Sequence, residues 1–322
     1  MHKPSSMKAA VLAGPKKIEI QTVPRPDPDA GQVRIRLEGC GLCGSNGPTW
    51  EGRPWTQYPL PSGAPGHEGW GVVDALGRNV SGVAEGERVA FLSGHAFAEY
   101  DLAQADQLVK LPAALDGQPF PGEPLGCAMN IFRRADVQRG QTVAVVGIGF
   151  LGAIVCKLAK DAGARVIAIT RRPWALDVAR TFGADERVPM DDHGKIIATV
   201  KALTGGRFCE RVVEVTGEQW PLDLSGELCA ERGKLIIAGY HQDPRSVNMQ
   251  LWNWRGLDVI NAHERDPKVY LEGIRMAVDA VVAGRLDPKP LFTHRFKLEQ
   301  LDRAFEAMKS RPDGFLKALV TP

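Results

Sequence analysis

The sequence predicts an α/β protein in two parts, a β-rich domain and a doubly wound parallel-sheet domain. Three observations carry this. Residues 7–120 hold short β-type runs punctuated by Gly, Pro and Asn. From Gln141 such runs alternate with stretches of helical periodicity, and a glycine-rich turn joins the first of those runs to the first helix. At 322 residues the chain is too long for one typical core and suits two domains.

In the first part, residues 8–12, 32–37, 71–75 and 87–91 read as strands of a barrel or sandwich, with 1–6 as a loose leader. Pro54, Pro59, Pro61 and Pro65 make 51–66 a loop. In the second part, the β-branched run 142–146 enters the glycine turn, and residues 150–162 place Leu151, Ile154, Val155, Leu158 and Ala159 at helical spacing. A strand at 165–169 and a helix at 174–182 follow, then strands at 211–215, 234–238 and 257–261. This alternation implies a parallel sheet with right-handed crossovers. Helices at 270–283 and 298–309 precede a last strand at 315–320, which is expected to return to the first domain because the parallel sheet is already complete.

Composition narrows the function. A formal net charge of +2, with no basic run beyond the pairs Arg133–Arg134 and Arg171–Arg172, argues against nucleic acid or a membrane surface as the main partner. No window approaches a transmembrane length, and residues 1–14 lack the apolar stretch of a signal peptide. Six cysteines are too few for a disulfide scaffold and fit a reduced, cytoplasmic protein.

The turn Gly147-Ile148-Gly149-Phe150-Leu151-Gly152 carries the first functional signal. Gly147 permits the tight bend, Gly149 lets the backbone approach a pyrophosphate, and Gly152 lets helix pack on strand. The helix N-terminus at Phe150 and Leu151 offers amide donors to an anion. The motif alone is weak; here it has the strand before it, the helix after it and a second strand at the right distance. That strand ends Thr170-Arg171-Arg172, with no carboxylate for a ribose 2′-hydroxyl. Guanidinium groups can bind a 2′-phosphate, so these three residues point to NADP(H) over NAD(H); the same arginines also read as a solvated loop.

A second group lies in the first part: Cys43 in Gly41-Leu42-Cys43-Gly44-Ser45, His67 in Gly66-His67-Glu68, and Glu123 in Gly122-Glu123-Pro124-Leu125. Thiolate, imidazole and carboxylate with one open position make a catalytic zinc site, though spacing alone does not join them. Cys127, four residues after Glu123, competes with it, and Glu68 is a further candidate ligand.

The Gly66-His67-Glu68 run with Gly71, Gly77 and Val80, together with Cys43-Gly44-Ser45 and the glycine turn, resembles the zinc-type medium-chain dehydrogenase/reductase family over nearly the whole chain. Glu123-Pro124-Leu125 resembles its polyol and threonine dehydrogenase branches. The resemblance implies a GroES-like catalytic domain (1–122), a Rossmann NAD(P)-binding domain (123–263) and a C-terminal segment (264–322) returning to the first. It implies one catalytic zinc on Cys43, His67 and Glu123, with Ser45 as the substrate-side hydroxyl that receives the proton. It also implies a dimer or tetramer.

Three departures accompany it. The cysteine-rich lobe of a structural zinc is missing between Phe91 and Ala98, so no structural zinc is expected, and His95 occupies the shortened loop. Asn46 replaces an Asp that would raise the basicity of the histidine ligand. Pro48 replaces a proton-relaying histidine, so the relay must end at Ser45, the cofactor ribose or water. The leading expectation is reversible oxidation of a secondary, polar or polyol-like alcohol to a carbonyl, with hydride passing to the nicotinamide. The loop 50–55, with Trp50, Arg53 and Trp55, is read either as pocket lining or as packing. The alternatives are a zinc-independent NADPH quinone or enoyl reductase, and a non-catalytic NADP(H)-binding regulator.

Overall fold

The computed structural model describes residues 5–322 and divides the chain into two units. One runs up to Gly126 and resumes over Asp266–Pro322; the other is Cys127–Arg265. Residues 1–4 of the expected leader lie outside the described residues, and Ser6 already opens the first strand.

The first unit begins with the hairpin β1 (Ser6–Gly14) and β2 (Lys17–Pro24), then β3 (Gln32–Gly41) and a short helix, α1 (Asn46–Glu51). There follow β4 (Glu68–Leu76), β5 (Arg88–Phe91), β6 (Tyr100–Gln104), β7 (Leu108–Lys110) and the start of α2 (Gly122–Ala135). Strand β2 escapes the sequence reading because none of its residues is fully buried, so its run of Lys, Glu, Gln and Thr never shows a clean apolar alternation.

The second unit alternates β8 (Thr142–Val146), α3 (Phe150–Asp161), β9 (Arg165–Thr170), α4 (Pro173–Thr181), β10 (Glu186–Pro189) and α5 (His193–Leu203). It continues through β11 (Cys209–Glu214), α6 (Gln219–Leu228), β12 (Cys229–Ile237), α7 (Met249–Arg255) and β13 (Asp258–Asn261). The sheet order is β10-β9-β8-β11-β12-β13, parallel throughout. Residues 143–146 are wholly buried, as a strand covered on both faces requires. Helix α7 has no buried residue, so it carries no apolar stripe from which to read it.

The chain then returns to the first unit with α8 (Pro267–Val282), β14 (Phe292–Lys297), α9 (Leu301–Ser310) and β15 (Lys317–Thr321). Strand β15 enters the sheet between β14 and β3, in the order β14-β15-β3-β4-β5-β7, with β6 also on β3. Helix α9 buries Leu301, Ala304, Phe305 and Met308, one face at 3.6-residue spacing, and Phe305 stacks on Trp50 at 5.4 Å. Trp50, 1% exposed, is therefore core packing; Trp55, 64% exposed, lies under the Arg53 guanidinium.

Candidate active site

Strand β3 delivers Cys43 to the site, and its glycine-rich end explains how. Gly41 pairs with Glu68 of β4 on one side and Leu319 of β15 on the other. A Cβ at Gly41 would fall 1.9 Å from Glu68 Oε2 and 3.1 Å from Lys317 Cε. The missing side chain leaves the gap in which Glu68 and Lys317 meet, with Nζ 2.5 Å from the carboxylate. Both are buried, Glu68 completely. Burial opposes the Lys317 charge, but Glu68 and then Cys43 hold its pKa above the ordinary lysine value. Sequence reading left Lys317 out of the site, because only the β15–β3–β4 register brings it there.

Among the described residues, Cys43, His67 and Glu68 present ligand atoms within 4.8 Å of one another. Asn46 organises the first two: its Oδ1 accepts from the Cys43 amide at 3.3 Å, and its Nδ2 donates to the Pro65 carbonyl at 3.0 Å. His67 Nδ1 lies 3.1 Å from that same carbonyl and 3.3 Å from Asn46 Nδ2. A proton on Nδ1 would point at Pro65 O and leave Nε2 bare for a Lewis acid. An aspartate at 46 could not donate to Pro65, so the amide has its own use here. Ser45 precedes α1 without capping it; its hydroxyl donates to Cys43 Sγ at 3.2 Å instead. Burial disfavours the His67 cation, yet the hydrogen bond and charge of Cys43, then the charges of Glu123 and Glu68, hold its pKa up at about 10.

Glu123 sits in the first turn of α2. Gly122 and Gly126 let that turn lie hard against its neighbours, since a Cβ at 122 would be 2.5 Å from Ala90 Cβ and one at 126 would be 2.8 Å from Ile274. The Glu123 charge is felt at His67 and Lys317, but the tight cluster takes its carboxylate from Glu68. Cys127 falls in the second unit. His95 is exposed. A soft thiolate, an imidazole and a carboxylate whose donor atoms converge this closely fit a zinc ion.

In the second unit the glycine turn leaves β8 with Gly147 at φ 102°, and a Cβ at Gly152 would be 2.1 Å from Gly147 O. Gly149 has nothing within 4 Å of its Cβ position and faces open space. Phe150 is buried, Leu151 half-buried, and Thr170 closes β9 beside the turn, buried. Arg172 donates to Ile148 O at 3.1 Å and lies 5.0 Å over the Trp174 ring; Arg171 is exposed. All six cysteines are free. No helix among the described residues is long and apolar enough to cross a membrane.

Two family descriptions match the chain: alcohol dehydrogenase GroES-like domain over residues 29–113 and zinc-binding dehydrogenase over 151–278. The chain is 28% identical to L-threonine 3-dehydrogenase of Bacillus subtilis, over 93% of this chain and 94% of that protein. It is 26% identical to sorbitol dehydrogenase of Halalkalibacterium halodurans, over 98% and 99%. The solved structure of a zinc-binding dehydrogenase from Sinorhizobium meliloti bound to NADP superposes with a TM-score of 0.84 at 25% identity, covering 99% of this chain and 100% of that one. The chain belongs to the zinc-type medium-chain dehydrogenase family: an alcohol dehydrogenase-like oxidoreductase built from a GroES-like unit and a Rossmann-type unit.

Proposed function

We propose that this oxidoreductase interconverts a secondary, polar or polyol-like alcohol and its carbonyl, with one zinc ion and NADP(H). The observation that carries the reading is the convergence of Cys43, His67 and Glu68 in one unit. Bound there, zinc would act as a Lewis acid that lowers the pKa of an alcohol hydroxyl. Cys43 and His67 would hold it, with a carboxylate from Glu123 or Glu68. Ser45, whose hydroxyl donates to Cys43 Sγ, would pass the hydroxyl proton on, since Pro48 cannot. The sorbitol and threonine dehydrogenase relatives support an alcohol on a polar carbon chain.

The NADP(H) preference rests on a β9 end without a carboxylate and on Arg172 fixed beside the glycine turn, with Arg171 exposed next to it. A homo-oligomer through the Rossmann-type unit is supported by its edge: among the described residues β13 pairs only with β12, and nearby Trp254 is 87% and Met249 52% exposed.

One observation favours a second reading. Lys317 already neutralises Glu68, as a metal-free site would require, and NADPH would then reduce a polarised double bond directly. Metal analysis after mild purification, coupled to NADP⁺ and NAD⁺ assays over polyols and secondary alcohols, separates the two. One zinc per chain and NADP⁺-dependent polyol oxidation are expected. A zinc-free preparation with full activity would sink the zinc reading, and a strong NAD⁺ preference would sink the NADP reading.

A further inference from the structure

Sheet order places the topological switch between β8 and β11, where the chain stops building toward β10 and starts toward β13. Dinucleotides sit outside the carboxyl ends of strands at such a point, one half on each side. The second side is formed by the turns after β11 and β12. They interlock: a Cβ at Gly239 would be 2.2 Å from Gly217 N, and one at Gly217 2.7 Å from Tyr240 O. The first of them also lies against the glycine turn, since a Cβ at Gly147 would be 2.5 Å from Thr216 Cγ2.

Glu214, the last residue of β11 and fully buried, pins these turns. Its Oε1 accepts from Thr216 N at 2.6 Å, Thr216 Oγ1 at 2.5 Å and Gly217 N at 2.9 Å. Its Oε2 lies 3.0 Å from His241 Nε2. Arg245 completes the ring, donating from Nε to His241 Nδ1 at 3.0 Å and from its terminal nitrogen to Gly217 O at 2.6 Å. Arginine can only donate, so His241 Nδ1 must accept, which puts the imidazole proton on Nε2, facing Glu214.

We propose that His241 and Arg245 are positioning residues for the nicotinamide half of the cofactor. They hold the Thr216–Gly217 and Gly239–Tyr240 backbone as the second wall of the crevice. The inference rests on the dinucleotide reading of the glycine turn. Without His241, Glu214 Oε2 keeps its buried charge but loses its donor, and the wall relaxes toward another partner. The adenosine half, on the β8–β9 side, is untouched.

Fluorescence titration of the full chain with NADPH and NADH, and competition by ADP and 2′,5′-ADP, tests this in H241L, H241Q and R245Q. H241L should weaken the preferred dinucleotide about tenfold, as loss of one hydrogen bond to a buried charge predicts. The competing ADP compound should bind it as it binds the wild type. H241Q, whose amide can donate to Glu214 and accept from Arg245, should restore most of the loss. R245Q makes the same comparison should H241L not fold. Equal weakening of dinucleotide and ADP compound, or no weakening of either, would overturn the proposal. A wild-type chain that binds no dinucleotide would instead overturn the reading beneath it.

Discussion

At the scale of single residues, burial separates the cysteines by reactivity. Burial pushes the thiols of Cys156 and Cys209 up to about 12 and that of Cys229 higher still. Cys40 is raised for the same reason, with the Glu68 charge adding to it. Only thiolates alkylate, so these four should stay unlabelled in the folded chain at neutral pH. Half-buried Cys43 and Cys127 should take up iodoacetamide. Added zinc should protect Cys43 and leave Cys127 unchanged, and mass spectrometry of tryptic peptides reads both. Labelling of Cys156 or Cys209 in native protein, or zinc indifference at Cys43, would refute the assignment. The same zinc titration on E68Q and E123Q tells which carboxylate completes the site, because only the ligand's loss should weaken protection.

At the scale of elements, the glycine turn divides its tasks among residues that look alike in sequence. Gly152 is required by packing, since its Cβ would enter the Gly147 carbonyl, whereas Gly149 faces open space. G152A should therefore lose about 1–3 kcal/mol of stability, the usual cost of overpacking. G149A should unfold near the wild-type temperature and yet bind dinucleotide poorly, because its methyl group occupies the pyrophosphate approach. Calorimetry with and without cofactor distinguishes them; equal loss of stability in both would contradict this division. This turn was legible in the sequence because strand, turn and helix are contiguous in the chain. Cys43, Ser45 and the His67–Glu68 pair were legible as short motifs. How Glu68 and Glu123 divide around them was not, because that depends on the register of β3 with β4 and on how tightly α2 seats on Ala90 and Ile274. The Glu214–His241–Arg245 ring was illegible for the same reason: its members lie on two separate turns that only the sheet aligns.

At the scale of the whole chain, the first unit is assembled from two stretches of sequence separated by the second unit. Strand β15 is inserted beside β3 only after the entire Rossmann-type unit has been made, and it brings Lys317 to Glu68 across 249 residues of sequence. The alternating pattern suggested that the last strand belonged with the first domain, but no local pattern could say that its first residue would be a buried cation. This pair makes a sharp test of what holds the site together. K317M leaves the Glu68 carboxylate buried without its counter-charge and should destabilise the unit by about 3–5 kcal/mol. The double variant E68Q/K317M removes both charges and should recover much of that loss, since a neutral buried pair carries no desolvated charge. Chemical denaturation of wild type, both single variants and the double variant closes the cycle. If K317M is as stable as wild type, the pair is not what clasps β15 to β4. If zinc restores K317M alone, Glu68 has exchanged its lysine for the metal, and ion pair and ligand are alternative states of one carboxylate.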